Sequence, residues 1–324
     1  MRQRTRYTFL AVFVLLAALA TVFYLRLKAP PEAARLLPES DAIVFLDVRP
    51  LRAVSHFDRS PVTRSPSYQQ FVDATGIVPE RDLDTAAFAL HRMANPAGPN
   101  GPVAFSEVLE GRFDAAKLAP WLAQQAISQE SYAGRVIYSI PSEGRTLRVA
   151  ILGYDMVAAS NMPTTEQIHS ILDRQRAAAS PFSGSSLLAA HYADVPAFSS
   201  AWAIGQIGLP FTSASGHRIS VFGLDLPIAT DTTLIASLQY TGSIHLRIDE
   251  LTATEADATH AAKNLNALLA LMRTLEPPQS PTKDPQQLAL RQFTDSIEIK
   301  PHKDRATLTA TIPSDALKGL AIPQ

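Results

Sequence analysis

Two carboxylates occupy strand faces that are otherwise apolar. In "DAIVFLDVR" the period-two alternation of a strand puts Asp47 and Arg49 on the same face as Ile43 and Phe45. In "GPVAFSEVLEG" it puts Glu107 beside Val103, Phe105 and Leu109. Two acids flanking one bond, one protonated and one ionised, are the machinery of acid/base hydrolysis, so Asp47 and Glu107 are the candidate catalytic residues. The plainer reading is an ion pair, Asp47 with Arg49 two residues on, or a strand end that reaches water.

Other chemistries find less support. The histidines at 56, 91, 169, 191, 217, 245, 260 and 302 include no two spaced three to five apart, as a helix-borne metal pair requires. Asp257 and His260 share a helix face at i, i+3 and are the candidate metal ligands, with a solvated surface pair as the simpler account. No Gly-x-Ser-x-Gly turn presents a serine. Ser280-Pro281-Thr282-Lys283 spells Ser-x-x-Lys, but Pro281 and Pro285 favour an extended loop over the helix start that motif needs. "GQIGLP" from Gly205 lacks the third glycine and following helix of a phosphate cradle, so no cofactor is expected. The absence of cysteine excludes disulfides, thiolate metal sites, iron-sulfur clusters, a cysteine nucleophile and a cysteine-borne lipid.

Composition sets the frame for these side chains. With 46% hydrophobic and 18% charged residues, the chain of 324 residues has the makings of a sizeable core. Residues 1–28 hold five basic residues and no acid, which leaves 24 basic against 30 acidic residues, a net of −6, in the remainder. That sign argues against nucleic acid as a partner.

The uncharged run "TFLAVFVLLAALATVFYL", residues 8–25, extends about 27 Å as a helix, close to the roughly 30 Å hydrocarbon core. Ala18-Leu19-Ala20 could be a signal-peptidase box, yet "TVFYL" continues the apolar run beyond it, so a retained anchor in the lipid bilayer is expected. Slightly more basic flanks before than after the run place residues 1–7 inside and the rest outside the cytoplasmic membrane. Residues 26–37, with Pro30 and Pro31, read as a linker.

Beyond it the chain looks duplicated. "DTAAFAL" at Asp84 matches "DTTLIAS" at Asp231, and "GPVAFSEVLEG" at Gly101 matches "GSIHLRIDELT" at Gly242. A helix follows each pair of strands. "DAAKLAPWLAQQA" aligns Leu118, Trp121 and Leu122, and "EADATHAAKNLNALLALMRTL" aligns Ala261, Leu265 and Leu268. Further strands follow in each half. A capping box of Thr164 and Gln167 is expected to start one more helix, and residues 276–287 read as a loop. The expected fold is therefore α+β: an N-terminal transmembrane helix, then two repeats, 38–180 and 181–324, each an antiparallel sheet with a helix on one face. In the second, Ile248 replaces Glu107.

"LLPESDAIVFLDVRPLRA", the run before it, and "GRFDAAKLAPWLAQQ" with "YAGRVIYSIP" resemble uncharacterised bacterial envelope proteins that have an N-terminal anchor and a duplicated domain of unknown function. The resemblance implies an extracytoplasmic location and supplies no catalytic residues. Together these readings favour a binding or scaffold module for an envelope protein or a small ligand, held in the cleft or on the sheet surfaces between two halves. A carboxylate hydrolase is the alternative.

Overall fold

The computed structural model describes residues 12–21, 28–59, 64–98, 100–177, 183–206, 219–221, 224–226, 232–275 and 292–313. Helix α1 (residues 12–21) and the short α2 (Glu32–Leu36) lead into strand β1 (Ala42–Asp47), apolar along almost its whole length because it is paired on both sides. Three helices follow: α3 (Arg49–Ser55), α4 (Pro66–Thr75) and α5 (Pro79–Asp82). The bounds of α4 are written in its caps. The Tyr68 amide donates to the Ser65 hydroxyl at 3.2 Å, Pro66 fills the first turn, and Gly76 closes the helix at φ +72°.

Strands β2 (Leu83–Arg92) and β3 (Val103–Gly111) come next, then α6 (Ala115–Gln125) and a meander of β4 (Ser128–Tyr132), β5 (Arg135–Ser142), β6 (Arg145–Ile151) and β7 (Met156–Ser160). Helices α7 (Glu166–Arg176) and α8 (Ser186–His191) lead to β8 (Ala201–Gly205). The hairpin strands β9 (Ile219–Val221) and β10 (Leu224–Leu226) precede β11 (Leu234–Tyr240), β12 (Ser243–Leu251), α9 (Glu255–Leu275), β13 (Glu298–His302) and β14 (Arg305–Pro313).

Twelve of these strands form one antiparallel sheet in the order β13-β14-β12-β11-β8-β1-β2-β3-β7-β6-β5-β4. This corrects the expectation of two separate repeat sheets. The seam is β1 against β8, with Val44 opposite Ala203 and Phe45 opposite Trp202. Outward from it, β1-β2-β3 and β8-β11-β12 run in the same order. Gly205 ends β8 so close to β1 that an added Cβ would lie 2.3 Å from the Asp41 carbonyl oxygen.

One face of the sheet is packed under α2, α7 and α8, where Leu36, Ile168, Ile171 and Leu188 meet Ile43, Ala89, Val108 and Ile204 in the main core. On the other face, α6 sets Leu118 and Leu122 against Tyr138, Val149 and Val157, and α9 sets Ala262 against Ile299 and Ala306.

Three further expectations change. Residues 12–21 of the apolar run are helical. Among the described residues no helix is long and apolar enough to cross a membrane. The transmembrane helix expected over 8–25, and the single-pass location with its inside N-terminus, are therefore corrected; residues 8–11 and 22–25 of that run lie outside the described residues. The capping box of Thr164 and Gln167 does not form, because α7 starts two residues later and has no side-chain cap. The loop expected over 276–287 lies outside the described residues.

Candidate functional site

A cleft of about 780 Å³ opens over the seam, on the face that carries α2 and α8. Register explains who lines it. Asp47, Thr85 and Glu110 stand opposite one another on β1, β2 and β3, and so share this face. One row along, Phe45, Trp202, Ser237 and Arg247 stand opposite one another on β1, β8, β11 and β12. Both halves of the sheet thus supply the floor, and the segment from Tyr192 to Ser199 supplies a wall.

The base of the cleft is aromatic. Phe45 stacks on Trp202 at 5.4 Å between ring centroids, and Tyr192 meets Trp202 edge-on at the same distance. Phe198, also in the lining, behaves oppositely: it is 82% exposed and sits at φ +63°. That left-handed conformation disfavours a bulky side chain and costs about 1–3 kcal/mol, and backbone strain of this kind gathers at binding sites.

Charged groups ring the base. The Arg49 guanidinium clasps Asp47 with bonds of 2.9 and 2.8 Å, and the Arg49 amide adds a third at 3.0 Å. Thr85 donates to Glu110 at 2.9 Å. Across the seam, Arg247 donates to both oxygens of Asp249, a residue only 1% exposed that also accepts from Thr307 at 2.7 Å. Arg305 reaches Asp194 at 3.3 Å, tying the wall to β14. The rim therefore alternates sign, and the arginine faces remain accessible to a ligand: the Arg49 side chain is 58% exposed and that of Arg247 40%.

The two catalytic candidates are not brought together. Asp47 lies in the cleft with both oxygens held by Arg49, the ion pair that the i, i+2 spacing suggests. Glu107 is three residues from Glu110 on the same strand and so projects from the opposite face, between Phe88 and Ala159. Burial pushes its carboxyl up to about 7, and it has no hydrogen bond or ion pair. Glu110, not Glu107, is the acid that shares the face of Asp47; the parity of β3 was the signal that could have found it.

Asp257 serves α9 itself, its amide and carboxylate both bonded to the Thr254 hydroxyl at 3.1 and 2.8 Å, while His260 is exposed. Among the described residues no three histidines or acids are grouped to hold a metal ion.

One constellation escaped the sequence. His91 Nε2 lies 3.0 Å from Ser106 Oγ, which lies 2.9 Å from Ser160 Oγ, a spacing that also occurs between nucleophile and base. Burial settles its role: Ser106 and Ser160 are fully buried and His91 is 6% exposed, so no substrate reaches them. Burial also holds the imidazole below its ordinary value. The three form a satisfied polar link between β2, β3 and β7.

Fold and site define an α+β protein built on one twelve-stranded antiparallel sheet, with a cleft across its central seam. No family model and no curated protein matches the sequence. Among solved structures, crystal form III of TP0453 aligns at 11% identity and a TM-score of 0.47, over 90% of this chain and 98% of that one. Crystal form IV of TP0453 aligns at 12% identity and 0.48, over 91% and 98%. These likenesses are too distant to bear on function.

Proposed function

We propose that the chain is a non-enzymatic binding module that takes a polypeptide segment into the seam cleft, with Phe198 as the anchor. The observation that carries this reading is Phe198, held in a strained conformation, largely exposed, at the rim of an aromatic base. Exposed aromatics beside accessible arginines are the residues on which protein contacts concentrate their energy. The volume suits a few side chains of a partner, and the alternating Arg49, Asp47, Asp194 and Arg247 charges suit a segment that carries both signs. Carboxylate hydrolysis is the poorer reading, since Asp47 and Glu107 lie on opposite faces and the oxygens of Asp47 are occupied.

Selection of random peptides on the full chain tests the proposal. The enriched peptides should hold an aromatic or large apolar residue flanked by charges. Phe198→Ser and Arg49→Glu should each weaken them by about tenfold or more, whereas Ile127→Ser, at an exposed position ahead of the outer strand β4, leaves them unchanged. Enrichment indifferent to both cleft variants, or equally lost in Ile127→Ser, overturns the assignment.

A further inference from the structure

Phe198 gains little from packing of its own, for it is 82% exposed, yet its backbone stays at φ +63°. A bulky residue returns from that region to negative φ unless the chain on both sides of it is held. The angle φ turns a residue against the peptide plane that precedes it, and here that plane carries the Ala197 carbonyl. Whatever fixes this plane, and the chain beyond Phe198, decides where the ring is presented.

Downstream, the Ser200 amide donates to the Leu238 carbonyl at 2.9 Å and the Ser200 carbonyl accepts from the Asp47 amide at 2.6 Å, so the chain leaves Phe198 already in register with β11 and β1. The Ser199 hydroxyl donates to the Pro196 carbonyl at 2.7 Å and closes the bend around Phe198 from within. Upstream, Arg305 holds Asp194, and Tyr192 and Val195 pack on the main core. The plane itself is met from β11, where the side-chain amide of Gln239 donates to the Ala197 carbonyl at 2.6 Å. Gln239 stands two residues beyond Ser237 on its strand and so shares the cleft face. Of these ties, the one from Gln239 is the one that reaches across the fold to the plane against which φ turns.

We infer that Gln239 is a positioning residue of the seam cleft: it pins the Ala197–Phe198 peptide and thereby keeps the anchor ring at the rim. This rests on the reading of the cleft as a peptide site anchored by Phe198. Once the bond is lost, φ relaxes to negative values and the Cα–Cβ direction turns with it, which moves the ring. A partner must then restore the strained conformation as it binds, so affinity falls although Gln239 itself need not touch the partner. The carbonyl demands a donor, so the shape of the glutamine side chain is not sufficient without its N–H.

Two measurements on the full chain test this. Chymotrypsin cuts after aromatic residues but needs the segment extended in its own site, so its rate at the Phe198–Ser199 bond, located by mass spectrometry under native conditions, reports release of the wall. Gln239→Ala, and the isosteric Gln239→Glu that has no donor at neutral pH, should each raise that rate about fivefold or more. Gln239→Lys, which keeps an N–H donor, should stay within about twofold of the parent. Peptides selected on the parent should lose about fivefold or more in affinity for the first two variants and keep it for the third. An unchanged cleavage rate in Gln239→Ala, or Gln239→Lys cut as fast as Gln239→Ala, overturns the inference. So does faster cleavage with peptide affinity intact, the mark of a bond that serves the fold alone. A selection that yields no peptide overturns the cleft reading instead, and the cleavage rates then decide by themselves whether Gln239 holds Phe198.

Discussion

Glu107 sits between Phe88 on one neighbouring strand and Ala159 on the other, and the apolar face of its own strand, Val103, Phe105 and Leu109, made that setting legible in the sequence. Its sign in stability follows from burial. The folded carboxyl keeps its proton up to about pH 7, whereas the ordinary value is 4.5. Between those values the folded state binds the extra proton, so stability falls as pH rises, and above them the ionised group costs about 3 kcal/mol. Glu107→Gln should therefore match the parent near pH 4 and exceed it at about pH 8, by up to about 3 kcal/mol in urea unfolding. An equal effect at both pH values would show that the ionised group carries no such cost. The Asp47–Arg49 pair was legible too, because it needs only two residues of one segment. The His91–Ser106–Ser160 link was not, since its members come from three strands whose adjacency no local pattern states.

At the scale of elements, legibility follows local chemistry. The bounds of α4 could be read because Ser65, Pro66 and Gly76 each do their work within one turn. Helices α6 and α9 showed in their spacing of Leu118 and Leu122, and of Ala261 and Leu265, which indeed face the sheet. Strand β4, "SQESY", escaped because it is an outer strand with no buried face to impose alternation. The start of α7 was misplaced because Thr164 fits a motif that its backbone does not adopt. These differences have measurable weight. Ser65→Ala should cost about 1 kcal/mol in urea unfolding through the lost bond to the Tyr68 amide, whereas Thr165→Ala, at a cap position without a side-chain bond, should cost less than about 0.5 kcal/mol. Equal losses would remove the cap as the cause.

For the whole molecule, the joining of two halves into one sheet is the feature the repeats concealed. A repeat match aligns β2 with β11 and β3 with β12 but is silent on which strands end as edges. A physical signal was present nonetheless. The outer strands carry polar and charged residues, Gln129 and Glu130 in β4 and Glu298, Lys300 and Pro301 in β13, whereas "AIVFLD" and "AWAIG" are too apolar to be left open to water. Pairing β1 with β8 resolves that conflict. The proposed binding cleft depends on it, since the cleft takes Phe45 from β1 and Trp202 from β8. The chain contains no cysteine, so two introduced ones report on the seam alone. Val44→Cys/Ala203→Cys places thiols on one face at opposed positions, where cross-strand Cα atoms about 4.5–5.5 Å apart suit a disulfide. Under mild oxidation this double variant should close an intramolecular disulfide, seen by mass spectrometry as the loss of two hydrogens. Val44→Cys/Leu238→Cys, one strand further away, should remain reduced. Failure of the first pair to close, or equal closure of the second, would contradict the single sheet and with it the binding cleft.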